Sequence, residues 1–218
     1  MMEIQEIEEI LQQKQNPHRY RHTIGVRYTS ICLAMRYGED MTKASYAGLL
    51  HDCAKHMSGE KLLEKCRSHQ LPVSEVEAKN PFLLHGRVGA WLAEHKYGVG
   101  DPEILSAIEW HTTGKLDMTL LEKIVFTADY IEPGRDQAPN LAWLRQLAFT
   151  DIDQAVCEIL KQTLDYLRDQ GGRSILPQKL LIVITYRSVQ RQRMQNDDSI
   201  TESAMRIQII NGGKHESV

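Results

Sequence analysis

The stretch "AGLLHDCAKH", residues 47–56, sets His51 beside Asp52 at the polar end of an apolar run. An imidazole next to a carboxylate is a ready pair of metal ligands, and four residues elsewhere match them. His22 lies in "RYRHTIGV", His85 in "FLLHGRVGAWL", His111 ends "ILSAIEWH", and Asp129 lies in "VFTADYIE". Helical periodicity turns these positions toward apolar neighbours. Singly, each histidine reads as a satisfied, partly buried side chain. Together they come from different helices, and helix bundles build metal sites by converging side chains from facing helices. Asp129 is the least ordinary, because an aspartate in so apolar a helix is costly unless paired or metal-bound. His51 and Asp52 point about 100° apart if both are helical. A long imidazole and a short carboxylate can still reach one ion. Mixed histidine and aspartate donors suit iron, manganese, zinc or cobalt better than calcium or magnesium. Of the nine histidines, His18, His56, His69, His95 and His215 read as surface residues, with His56 the one near enough to support the site.

Helices must position these groups, and nearly every segment has helical period. Ile4, Ile7 and Leu11 form a short amphipathic stripe ended by "NP" at 16–17. A long helix is predicted from about His18 to Tyr37, stopped by Gly38. The next should start near Thr42 as N-cap and carry Tyr46, Leu49, Leu50 and Cys53 inward. Ser58 caps a fourth helix through about Ser68, and "SEVE" at 74–77 has the form of a capping box. "NPFLLHGRVGAWLAEHKYG" reads as one helix ending at Gly98. Asp101 and Pro102 open another in the expected N-cap and first-turn order. "TLLEKIVFTADYI" is apolar almost all round and reads as a central buried helix. Ile152, Val156, Ile159, Thr163 and Leu167 share one face of a helix stopped by "GG" at 171–172, and Pro177 opens a last helix to about Arg193. No strand pair or hairpin signal is found. The expectation is an all-α, single-domain bundle over 1–194, with a metal site between central helices and a polar tail over 195–218.

Composition narrows the function classes. The 218 residues suffice for one sizeable core. A net charge of −3 advertises neither nucleic acid nor an anionic membrane, and no aromatic-basic interleaving suggests RNA. The start is acidic without an apolar core, unlike a secretory signal. The longest apolar run, at 180–186, is too short to span a bilayer. Cys32, Cys53, Cys66 and Cys157 are scattered without a CxxC pair, which argues for a reducing, cytoplasmic setting and against a thiolate zinc site.

The order His22, His51-Asp52, His85, His111, Asp129 resembles the HD-domain phosphohydrolase superfamily of helical metal-dependent enzymes. "RYRHTIGV", "AGLLHDCAK", "NPFLLHGRVGA", "AIEWHTTG" and "ADYIEPGR" together look like its YqeK-type branch, the symmetrical bis(5'-nucleosyl)-tetraphosphatases of bacteria. The resemblance covers about residues 5–190. It implies primary ligands His22, His51, Asp52 and Asp129, holding one or two ions, with iron first and manganese or another divalent transition metal as alternatives. It implies that His85 and His111 complete a second metal site or touch substrate phosphate. Thr112, Lys55 and Arg135 would face the same phosphates, and the loop "GGRSILP", with Arg173, Ser174, Ile175 and Leu176, would close on a nucleotide. His51, Asp52 and Lys55 are the expected catalytic set. His22, Lys55, His85, His111, Thr112, Asp129 and Arg135 join that loop as the expected substrate contacts.

The implied reaction is hydrolysis of diadenosine tetraphosphate into two ADP, by water attack on a β-phosphorus. Metal ions would polarise the phosphoryl oxygen and lower the pKa of bound water, while Lys55 and Arg135 screen charge. Arg19, Arg21 and Arg27, which flank His22, read as surface or supporting residues. The close rival keeps the metals but acts on another nucleotide; the distant one is a non-catalytic nucleotide-sensing module. The partners expected are a small nucleotide and a second copy in a homodimer, with no nucleic acid and no membrane.

Overall fold

The computed structural model describes residues 1–169, all of whose regular structure is helical. Ten α-helices follow in order: α1 (Ile4–Lys14), α2 (Pro17–Tyr37), α3 (Met41–Leu50), α4 (Gly59–Ser68), α5 (Glu75–Lys79), α6 (His85–His95), α7 (Pro102–Trp110), α8 (Leu120–Ile131), α9 (Leu141–Thr150) and α10 (Ile152–Asp169). A short 3-10 segment, Pro81–Leu84, precedes α6. The expected loop at 171–177, the helix from Pro177 and the tail over 195–218 lie outside the described residues. Among the described residues no helix is long and apolar enough to cross a membrane.

Local chemistry sets most boundaries. Asn16 accepts from the Arg19 N–H and Pro17 opens α2, while Gly38 ends it at φ +73°. The expected capping box at Ser74 and Glu77 forms, and Asp101 caps α7. Four expectations need correction. Asp40, not Thr42, caps α3: its carboxylate accepts from the Thr42 and Lys43 N–H groups. The single helix expected over 80–98 is divided, because Pro81 starts a 3-10 turn and α6 begins only at His85. α3 stops at Leu50, so Cys53 is buried in a turn beyond it. Helix α9 was not expected; Asn140 before it sits at φ +56° and makes no side-chain cap, so no start signal marks it.

α8 is central, packed by α2, α3, α7 and α10. Its Leu121, Ile124, Val125, Phe126, Ala128 and Ile131 are buried. α2 lies along α3, and α7 lies against both α3 and α6. The α6–α7 approach depends on Gly86, where a Cβ would stand 2.4 Å from the Glu109 carbonyl oxygen. That closeness brings His85 at the start of α6 to His111 at the end of α7.

Candidate metal centre

His51 and Asp52 lie in a run of tight turns after α3, where Cys53 N–H donates to Leu50 O and Lys55 N–H to Asp52 O. The pair is therefore not helical, and both side chains reach the same interior point. His51 is fully buried and Asp52 is 3% exposed. His22 from α2, His85 from α6 and His111 at the end of α7 converge on them. Asp129 of α8 completes the set, but its side chain is 21% exposed rather than sealed. It faces the cluster on one side and Arg135 on the other.

The histidines have their outer nitrogens committed. Nδ1 of His51, His85 and His111 meets the carbonyl three residues back, at 2.7 Å (Gly48), 2.5 Å (Phe82) and 2.7 Å (Ile108). A carbonyl only accepts, so each Nδ1 carries a proton and each ring turns its Nε2 inward. His22 Nδ1 meets the buried Glu132 carboxylate at 3.1 Å. The inward nitrogens then crowd: Nε2 of His22 and His51 are 3.3 Å apart, and those of His85 and His111 are 3.2 Å apart. Lone pairs at that distance repel unless a proton or cation lies between them.

Asp52 stands between the two pairs. Its Oδ2 is 3.6 Å from His51 Nε2 and 3.9 Å from His22 Nε2, while its Oδ1 is 3.3 Å from His85 and 3.4 Å from His111. Asp129 Oδ1 closes on the first pair, 3.1 Å from His22 and 3.8 Å from His51. Two overlapping triads, His22–His51–Asp129 and His51–Asp52–His111, have ligand atoms near enough to share an ion. Asp52 Oδ1 is buried without a hydrogen-bond partner. A buried carboxylate oxygen left unmatched is unfavourable, so donor chemistry and orphaned atom both fit a divalent metal here.

Titration agrees with a charged cluster. Burial pushes the Asp52 carboxyl up, but His51 and the other imidazoles more than offset this and hold it well below the usual range. Burial likewise opposes ionisation of Asp129, and the hydrogen bond from His22 with nearby His51 and His111 pulls it far down. Burial disfavours the charged form of His22, yet Asp129 and Glu132 raise its pKa overall. His85 goes the other way, because burial dominates its contact with Asp52.

The expected substrate contacts that lie in described residues gather around this centre. Lys55 Nζ is 3.0 Å from His85 Nε2, and the Thr112 hydroxyl is 3.0 Å from His85 Nε2 and 2.9 Å from His111 Nε2. Arg135 donates to the Asp129 carboxylate at 3.0 Å and to its carbonyl at 3.1 Å. Arg173, Ser174, Ile175 and Leu176 fall outside the described residues.

Arg19, read as a surface or supporting residue, has the supporting role: it donates to Asp52 Oδ2 at 2.7 Å. Its position one turn before His22 was the available signal. Glu132 and Arg145 were not singled out, although Glu132 sits in "ADYIEPGR". His18, His56 and His95 are exposed, as expected, and His56 takes no part in the cluster. A cavity of about 1080 Å³ opens beside the centre, lined among others by Arg19, Arg21, His22, Tyr28, Tyr130 and Arg135.

The HD domain family matches residues 19–134, a span that includes all six converging residues. The chain belongs to the HD-domain family. Within that family, it is 42% identical over 157 residues to the symmetrical bis(5'-nucleosyl)-tetraphosphatase of Bacillus subtilis (strain 168), covering 72% of this chain and 83% of that one. It is 38% identical over 168 residues to the protein of the same name in Staphylococcus aureus (strain NCTC 8325 / PS 47), covering 76% and 86%. A crystal structure from Clostridium acetobutylicum, described as a "predicted HD superfamily hydrolase involved in NAD metabolism", superposes with TM-score 0.79 at 37% identity. It covers 86% of this chain and 98% of its own. The HD fold and the YqeK-type branch read from five separated segments both stand.

Proposed function

We propose that this HD protein hydrolyses diadenosine tetraphosphate symmetrically into two ADP. The observation that carries this reading is the meeting of four imidazoles and two carboxylates, in a chain about 40% identical to enzymes bearing that name. His22, His51, Asp52 and Asp129 would hold a first ion, and His85 and His111 would complete a second site beside Asp52 or contact the substrate phosphate. Iron is the metal of first choice and manganese the alternative, consistent with imidazole and carboxylate donors lacking thiolate. Bound there, such ions neutralise phosphoryl oxygens and make water nucleophilic near neutral pH.

The chain's own residues do the rest. Nδ1 contacts keep the four imidazoles aimed and in one tautomer. Arg19 holds Asp52 Oδ2, which leaves Oδ1 directed at His85 and His111. Lys55 and Thr112 supply donors on the His85–His111 side, where a phosphate oxygen would accept them. Arg135 presents a guanidinium, 45% exposed, at the mouth beside Asp129. Together they fix the tetraphosphate so that the in-line position opposite the leaving ADP falls at the cluster. The four cysteines, scattered without a CxxC pair, support a reducing, cytoplasmic location.

The test joins elemental analysis of the purified protein with chromatography of products from diadenosine tetraphosphate. Stoichiometric transition metal with ADP as sole product is expected. ATP plus AMP, or bound metal without ADP, overturns the substrate assignment. Absence of metal binding after iron or manganese is added back overturns the ligand set.

A further inference from the structure

Glu132 is a carboxylate with an unusual setting. It is 3% exposed, and among the described residues no lysine or arginine forms an ion pair with its side chain. Oε1 meets His22 Nδ1 at 3.1 Å, and Oε2 accepts from the Gly134 N–H at 2.6 Å. Space for it is made by the facing helix: a Cβ on Gly25 would stand 2.4 Å from Oε2. Its backbone is held as well, because Arg145 of α9 donates to the carbonyls of Ile131 at 2.8 Å, Glu132 at 2.9 Å and Arg135 at 2.8 Å.

A buried carboxylate without a cationic side chain is unfavourable unless hydrogen-bond donors satisfy it. The donors available are the His22 Nδ1–H and the Gly134 N–H. The other three imidazoles rest their Nδ1 on neutral carbonyls; His22 alone rests on a carboxylate. A carboxylate behind an imidazole fixes the Nε2-bare tautomer and makes that nitrogen a stronger donor to a metal.

We propose that Glu132 is a positioning residue for the metal centre, setting the aim and basicity of His22, with Arg145 holding the loop that carries it. This rests on the reading of His22 as a ligand. Its effect is local to the His22–His51–Asp129 side, so the two halves of the centre differ in affinity.

The experiment titrates metal-free protein with manganese(II), following free ion by electron paramagnetic resonance, with no substrate present. Glu132→Gln keeps an acceptor oxygen and loses the charge; Glu132→Leu loses both. Affinity should fall about tenfold for Gln and about a hundredfold for Leu, with the metal-free melting temperature of the Gln variant near wild type. Gly25→Ala, which leaves Glu132 in place but displaces its carboxylate, should weaken affinity as well. Unchanged affinity in Glu132→Gln and Gly25→Ala overturns the proposal while leaving the ligand set intact. So does a loss that only follows a fall in melting temperature. Wild-type protein that binds neither manganese(II) nor iron(II) overturns the ligand reading and this proposal with it.

Discussion

Glu122 in α8 and Asp52 after α3 are both carboxylates withdrawn from water, at 1% and 3% exposure. Glu122 is surrounded by donors. The Ser106 hydroxyl donates to it, Lys115 Nζ pairs with it at 2.7 Å, and the Thr119 N–H donates at 2.8 Å in a capping box. Asp52 has Arg19 on one oxygen; the other has no hydrogen bond and faces the His85 and His111 nitrogens at 3.3 and 3.4 Å, with the Lys55 ammonium farther off at 3.9 Å. An acid placed for stability is saturated with donors. An acid placed for a cation is surrounded by further acceptors, whose mutual repulsion the cation relieves. The histidines repeat the contrast. Away from the centre, half-buried His69 and exposed His95 lie nearly parallel to Trp91, with ring centroids 3.8 and 4.5 Å away, while the site rings meet edge to face at 73–83°. The first group uses ring faces for packing; the second turns ring edges and their nitrogens toward one another.

The contrast breaks most sharply at Asp52. Asp52→Ala should lower turnover of diadenosine tetraphosphate by about a thousandfold or more, while the metal-free protein melts no lower than wild type. A variant that retained metal and turnover would erase the distinction between the two acids. Stripping the metal should cost wild-type protein about 4 kcal/mol of stability relative to a thousandfold ligand excess over Kd. Denaturant unfolding with and without chelator measures this, and the Asp52→Ala variant should be indifferent to chelator.

Glu122→Ala should cost about 2 kcal/mol in urea unfolding, through the lost cap and an unpaired Lys115, with turnover per folded molecule within about twofold of wild type. The value sits at the low end because Lys115 is 31% exposed. A large loss of turnover without a stability change would place Glu122 on the functional side of the comparison.

The smallest effect concerns the thiol next to Asp52. Burial, with the Asp52 charge adding, pushes Cys53 up to about 12 from its ordinary 9. At pH 8 an alkylating reagent should label exposed Cys32 rapidly and leave Cys53 untouched, as mass spectrometry of the native protein would report. Because the folded thiol keeps its proton longer than the unfolded one, its contribution favours folding less as pH rises from about 9 toward 12. Labelling of Cys53 as fast as Cys32 would mean that the turn carrying Asp52 opens readily.

Most of the frame was legible because it is written locally. Pro17, Gly38, Ser58, the Ser74–Glu77 box and Asp101–Pro102 mark helix ends through bonds within a few residues. Where the local signal was absent or ambiguous, reading failed. Asn140 leaves α9 uncapped, and the cap of α3 is Asp40, two residues before the Thr42 expected as its start. Of the site, the six converging residues were legible through residue type and order. Arg19 was legible only as a residue flanking His22, and Glu132 and Arg145 not at all, because their partners lie 33, 110 and 10–14 residues away.

The sequence by itself determined which residues can bear the chemistry: four inward histidines, two aspartates, and the helices that carry them. Helix period and caps are properties of neighbouring residues, so the chain states them directly. Tertiary structure alone decided that Asp52 stands between two imidazole pairs and that Arg19 occupies one of its oxygens. It also decided that Glu132 stands behind His22. Those facts depend on how closely α2, α3, α6, α7 and α8 approach. Close packing between distant segments sets that approach to fractions of an ångström, and no local pattern encodes it.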